Sequence, residues 1–205
     1  MDSIEISLEQ VVKEYGGKRV IDSLSYRFLA GSRTGIMAPS GIGKTTLLRM
    51  ILGLEPLDGG RILYQKELQA SVVFQEDRLF LYATSLENIQ AVLPKKRWTE
   101  SEICRELSQV GLLEAAYKKV SFLSGGMKRR VAIVRAVLMP GNLLVLDEPF
   151  KGLDLERKKQ VMHYIKNRID GRTFLLVTHE REEAAYFEAD ILEWNNNFTV
   201  QMNGE

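Results

Sequence analysis

Nine consecutive residues, Ala38-Pro39-Ser40-Gly41-Ile42-Gly43-Lys44-Thr45-Thr46, bring two glycines, a lysine and two threonine hydroxyls together. Glycines let backbone N–H groups curl around phosphate oxygens, and a helix starting directly behind them adds a favourable dipole. In such a loop Lys44 holds β- and γ-phosphates, Thr45 ligates Mg²⁺ through its hydroxyl, and Thr46 faces the α-phosphate. Loops of this kind ordinarily open with glycine, and Ala38 stands there instead. Alanine fits while its backbone keeps a negative φ.

Leu143-Leu144-Val145-Leu146-Asp147-Glu148 ends an apolar run on two carboxylates. A buried strand that delivers acids at its C-terminal edge puts them where open α/β sheets bind ligands. Asp147 is then expected to bind Mg²⁺ or to stand just behind its ligands, and Glu148 to polarise an attacking water. Two acids after a strand also make an ordinary strand-end turn; the lysine loop upstream favours the chemical reading. A third group, Leu123-Ser124-Gly125-Gly126 followed by Met127 to Ala136, places a capping serine and two glycines ahead of a helical run. That is a second anion-binding helix start. A single triphosphate does not need two of them in one chain, so the pair implies an interface shared between chains.

The elements that position these groups are set by the hydrophobic pattern. Ile4, Ile6 and Leu8 alternate with polar residues, as do positions from Val20 to Phe28, which gives two half-buried strands around a turn at Gly16-Gly17. Thr34 to Met37 form a strand leading into the loop, and Leu47 to Leu52 a helix leaving it. Pro56 to Gly60 read as a turn, Arg61 to Tyr64 and Ser71 to Phe74 as strands, and 85–117 as helical, with capping residues at Trp98 to Glu102. Leu143 to Leu146 and Thr173 to Val177 suit central parallel strands, with Leu155 to Ile169 as the crossover helix between them. The tail from Ala184 ends in a hairpin around Asn195-Asn196-Asn197. The fold class is therefore α/β: a phosphate-loop, RecA-like core with a mainly parallel sheet, an N-terminal antiparallel β subdomain and an inserted α-helical subdomain. The 205 residues are expected to make one domain, with its core at 1–79 and 139–205 and the helical subdomain at about 80–138.

Composition narrows the class of function. Lysine plus arginine is 28 against 27 acidic residues, without the basic excess that phosphate neutralisation by a nucleic-acid binder calls for. The single cysteine, Cys104, excludes an intramolecular disulfide and reads as a plain helix residue. Met1 to Glu5 put acids where a signal peptide needs basic residues, and no apolar run approaches the ~20 residues that cross a bilayer. Any membrane role is expected to come through a partner.

The order and spacing of these motifs closely resemble the ATP-binding cassette (ABC) ATPase family over nearly the whole chain. The matching residues are the loop through Thr46, Gln75 after an apolar strand, Leu123 to Gly126, Asp147-Glu148-Pro149, Gly152-Leu153-Asp154, and His179 after Phe174 to Thr178. The resemblance implies that Tyr15 stacks on adenine, that Gln75 contacts Mg²⁺ and the attacking water, and that His179 contacts the γ-phosphate. It further implies that Ser124, Gly125 and Gly126, with Asp154, meet ATP held by the opposite protomer. Alone, a tyrosine is more often packing, Gln75 is uninformative, and a histidine is ordinarily a surface or hydrogen-bonded residue. His163, inside the crossover helix, keeps that structural reading.

By the same resemblance the chain is an ATPase using ATP and Mg²⁺, pairing as a homodimer or as a heterodimer with another ABC ATPase. It serves transmembrane permease subunits and a solute-binding protein, binds no nucleic acid, and lies in the cytoplasm, peripheral to the inner face of the cell membrane. The stretches Phe74 to Leu79, Leu86 to Ile89 and Met127 to Arg130 look like importers of the nitrate, sulfonate and taurine group, although Leu81 and Tyr82 depart from that pattern. Arg78 to Tyr82 is the candidate groove for a permease helix. Two other classes stay open at this point: a soluble ABC protein acting on a ribosome or nucleic acid, and a small-molecule kinase. The latter leaves Leu123 to Gly126 unexplained.

Overall fold

The computed structural model describes residues 3–39, 41–94, 98–169, 171–194 and 200–202, the last three for their backbone alone. The chain divides into two compact units, one formed by 1–70, 141–147 and 171–205, the other by 71–140 and 148–170.

The first unit holds two sheets. β1 (Ile6–Tyr15) and β2 (Lys18–Phe28) form the antiparallel hairpin that the alternation predicts, turning at Gly16 and Gly17, both at positive φ. β4 (Gly59–Tyr64) pairs antiparallel with the other edge of β1. Ile6, Leu8, Val11, Ile21, Leu24 and Phe28 are buried, but the spacing of two breaks between Leu8 and Val11, where the register shifts. Gln10 sits there at φ 47, so one irregular residue turns the strand over by one step. Ile4 is buried yet precedes β1; its N–H donates to the Thr173 hydroxyl, and its carbonyl accepts from the same hydroxyl.

The other sheet runs β6 (Leu143–Asp147), β7 (Thr173–Val177), β3 (Arg33–Met37) and β8 (Asp190–Trp194), all parallel, with β9 (Val200–Met202) antiparallel on β8. The turn expected at Asn195 to Asn197 lies outside the described residues. Every residue of β6 and β7 is buried, as continuous apolar runs require of central strands. α1 (Lys44–Ile51) leaves the end of β3 and buries Leu47, Leu48 and Ile51, each worth about 1.5–3 kcal/mol of apolar burial. α6 (Arg181–Tyr186) follows β7.

β5 (Ala70–Val73) carries the chain into the second unit, whose helices are α2 (Ser85–Gln90), α3 (Glu100–Gln109), α4 (Gly125–Leu138) and α5 (Leu155–Lys166). α2 and α3 each begin with a full capping box, Thr84 with Glu87 and Thr99 with Glu102. Residues 113–115, inside the stretch expected to be helical, form a single 3-10 turn, and 120–122 form another beyond it. Leu86, Ile89, Ile103, Leu107, Val131, Val134, Val161 and Ile165 are buried in this unit. Glu106 is buried with them, and the half-buried Arg168 donates to both of its oxygens, at 2.6 and 3.2 Å. Among the described residues no helix is long and apolar enough to cross a membrane.

Candidate functional site

In the first unit the pairing register fixes the site. Asp147 lies opposite Val177, and Val177 opposite Ile36, so β6, β7 and β3 end together at one sheet edge. Those three ends present the carboxylate of Asp147, the histidine at 179 and the loop that starts at Ala38. Lys44 opens α1 and is only 6% exposed. Its Nζ donates to the carbonyls of Ala38 at 2.6 Å and Pro39 at 3.1 Å, and lies 3.3 Å from His179 Nε2. The Thr45 hydroxyl donates to Asp147 Oδ2 at 3.0 Å. A cationic amine, a hydroxyl, a carboxylate and an imidazole from three stretches of sequence thus converge.

The loop has the geometry its glycines permit. Gly41 is at φ 80 and Gly43, the residue capping α1, at φ 111, both positive, whereas Ala38 is not among the positive-φ residues. Alanine is therefore accommodated where glycine is usual. Ser40 lies outside the described residues. Ile42 and Thr46 are half-buried, and Pro39 is exposed. Tyr15 closes β1 and is 46% exposed, with Lys13 Nζ 5.1 Å from its ring centroid. Lys13 is itself tethered to Asp58 and Glu55, at 3.3 and 3.4 Å. Partial desolvation, and next the Glu55 carboxylate, hold the Tyr15 phenol above its ordinary 10.0.

The second unit carries the other expected residues. Gln75, Gly125, Gly126, Arg129 and Glu148 line one cleft. Ser124 caps α4, its hydroxyl accepting from the Met127 N–H at 3.3 Å, and the amides of Gly125 and Gly126 fall in the first helical turn. Asp154 caps α5 by accepting from the Arg157 N–H at 2.9 Å and is exposed. Glu148 is a non-glycine residue at φ 47, and its carboxylate lies 3.4 Å from Lys151 Nζ. Phe80, Leu81 and Tyr82 are 61, 50 and 86% exposed, while Leu79 is half-buried. His163 is exposed on α5 beside Asn167, and Cys104 is half-buried 3.8 Å from the Tyr117 hydroxyl.

Sequence reasoning missed Arg129. It is buried, and its guanidinium donates to the carbonyls of Phe74, Glu148 and Pro149. A cation one turn inside an otherwise apolar helix face was the available signal, but its acceptors are backbone atoms 19 to 55 residues away.

The arrangement defines a phosphate-loop α/β protein. The profile of the ABC transporter family matches residues 21–151, more than half of the chain. The chain is 34% identical over 219 residues to a spermidine/putrescine import ATP-binding protein, PotA, of Mycoplasma capricolum, covering 100% of this chain and 62% of that protein. It is 35% identical over 202 residues to an aliphatic sulfonates import ATP-binding protein, SsuB 3, of Rhodococcus jostii, covering 97% of this chain and 75% of the other. A dimeric bacterial ABC transporter cassette of known structure superposes with a TM-score of 0.82 at 26% identity, covering 98% of this chain and 99% of that one. The chain belongs to the ABC transporter family and has its phosphate-loop α/β fold. It spans less than two thirds of the length of the PotA relatives it matches.

Proposed function

We propose that this chain is the ATP-binding and hydrolysing subunit of an ABC transporter that imports a small solute. The observation that carries the reading is the convergence of Lys44, Thr45, Asp147 and His179 at one sheet edge. The names of its relatives, import ATP-binding proteins, support the import direction. Those names divide between polyamines and aliphatic sulfonates, in keeping with a cargo chosen by other subunits.

Lys44 and the loop amides bind the β- and γ-phosphates, and Tyr15 stacks on adenine. The Thr45 hydroxyl and Asp147 carboxylate are hard oxygen donors 3.0 Å apart, a set that fits Mg²⁺, with Gln75 as a further ligand. Held there by Thr45, Asp147 and Gln75, the ion would neutralise charge on the phosphates. Glu148 orients the attacking water and accepts its proton, and His179 contacts the γ-phosphate. Ser124, Gly125 and Gly126 meet the γ-phosphate of ATP held by a second cassette, identical or related, with Asp154 at the joint. ATP closes the pair, and loss of the γ-phosphate reopens it. The exposed Phe80-Leu81-Tyr82 segment receives a helix of a membrane-embedded permease, so the chain works in the cytoplasm at the membrane's inner face, with a solute-binding protein as the further partner. Within one cassette domain, 80–138 acts as the helical subdomain.

Steady-state hydrolysis by the purified chain tests the reading. Turnover that requires Mg²⁺ and disappears in Lys44→Ala is expected, and turnover retained in that variant refutes the assignment. Recovery of the tagged chain with ribosomes, rather than with membrane subunits, would overturn the transport role.

A further inference from the structure

We infer that Arg129 is a positioning residue that holds Gln75 and Glu148 in one working geometry. The inference rests on the hydrolytic reading above, which gives those two residues their roles.

Arg129 stands one turn into α4 and is 5% exposed. Its Nη1 donates to the Phe74 carbonyl, and lies 3.4 Å from the Gln75 carbonyl and 3.1 Å from Asp77 Oδ1. Its Nη2 donates to the Glu148 carbonyl at 2.7 Å, and its Nε to the Pro149 carbonyl at 3.0 Å. One planar cation therefore grips two stretches of backbone more than seventy residues apart in sequence, 74–77 and 148–149. The grip is on main-chain carbonyls, not on the Gln75 amide or the Glu148 carboxylate, so it sets where those groups start without occupying them.

The turn it holds is one that needs holding. Glu148 is at φ 47, a conformation that side-chain-bearing residues adopt only where their surroundings impose it. Bonds from one guanidinium to the carbonyl of Glu148 and to the next carbonyl impose it here. Asp77 supplies the counter-charge that a buried cation needs, at 3.1 Å.

The same helix extends the hold. Arg135, less than two turns further along α4, donates to the carbonyls of Arg78 at 2.9 Å and Asp77 at 3.1 Å. Asn88 then closes on Phe80, accepting from its N–H at 2.8 Å and donating to its carbonyl at 3.0 Å. The backbone from Phe74 to Phe80 is thus pinned to α4 and α2 along its length. A shift of the Glu148 turn is transmitted through Arg129 to the exposed Phe80 segment. A lysine keeps the charge opposite Asp77 but has no planar fork to reach carbonyls in several directions.

The test compares Arg129→Lys and Arg129→Ala with the wild type in the full chain. Arg168→Ala, which leaves the buried Glu106 without its bidentate partner, serves as a control for destabilisation alone. Misplacing an acting group by about an ångström costs on the order of 100-fold in rate, so kcat of Arg129→Lys is expected to fall by about that factor. KM for ATP should stay within about threefold, since ground-state binding is untouched. Hydrogen exchange followed by mass spectrometry should rise together at 75–79 and 148–152, with α1 unchanged. If Arg129→Ala does not fold, the lysine variant carries both readouts. A lysine variant with wild-type kcat, or one in which exchange at the two segments stays at wild-type rates, overturns the inference. Absence of turnover in the wild type would instead refute the ATPase reading, and the exchange result would then judge the tether by itself.

Discussion

Replacing Gly43 by alanine separates two reasons for a glycine in the phosphate loop. Gly43 is at φ 111 and ψ 16, where a side chain is strained by about 1–2 kcal/mol. Its added Cβ would also stand 2.6 Å from Val20 Cγ1 and 3.4 Å from Trp194 Cη2. Valine is stiff at χ1 and cannot swing clear, so overpacking adds about 1–3 kcal/mol. The sum is about 2–5 kcal/mol, a large share of the ~5–15 kcal/mol that holds a domain together. Gly41 is also at positive φ, 80, but a Cβ there meets nothing within 4 Å, so Gly41→Ala should lose only the strain of about 1–2 kcal/mol. Adding Val20→Ala to Gly43→Ala should remove the steric part, beyond what the two single changes predict, and leave a deficit near that of Gly41→Ala. Urea unfolding followed by circular dichroism measures each variant, compared through the midpoint at constant slope. Equal midpoints for the two glycine variants, or no coupling between positions 20 and 43, would refute the reasoning.

Three further outcomes are expected. Lys44→Ala should lower hydrolysis by at least about 100-fold, the loss typical of removing a preorganised charge-stabilising donor, in a steady-state phosphate-release assay. Thr99→Ala removes the hydroxyl that caps α3 and should lower unfolding stability by about 0.5–2 kcal/mol in urea titration, without changing KM for ATP. The Glu14 N–H, and next the Lys13 side chain, hold the Asp58 carboxyl below its ordinary 3.8. A depressed carboxyl stabilises the fold above its unfolded value and loses that contribution as pH falls through its folded value. Wild-type melting temperature should therefore drop more steeply below about pH 3.8 than that of Asp58→Asn, as read by melting across an acid pH series.

Local signals carried much of the fold. The Gly16-Gly17 hairpin, the strand, loop and helix around Lys44, the Thr99 cap and the buried strands β6 and β7 are all written in neighbouring residues. Helix α5 ends at Lys166, short of the expected Ile169, because the chain turns at Asn167, whose side chain lies against His163. The 3-10 turns at 113–115 and 120–122 carry too few residues for helical periodicity to tell them from helix. The irregularity at Gln10 has no signal in residue type, since glutamine seldom adopts a positive φ. The meeting of Thr45 with Asp147 was legible because β3, β6 and β7 must end at one edge. The grip of Arg129 was not, because its acceptors are carbonyls, which every residue has. Nor was the left-handed Glu148, whose conformation is imposed from outside its own sequence neighbourhood.

On the proposed function, this chain supplies half of each of two ATP sites, through Lys44 on one side and Ser124 on the other. Light scattering of Glu148→Gln with Mg-ATP, at high protein concentration, tests it most directly. With hydrolysis blocked, the account predicts the mass of a dimer in ATP and of a monomer in ADP. A monomer in both would contradict it.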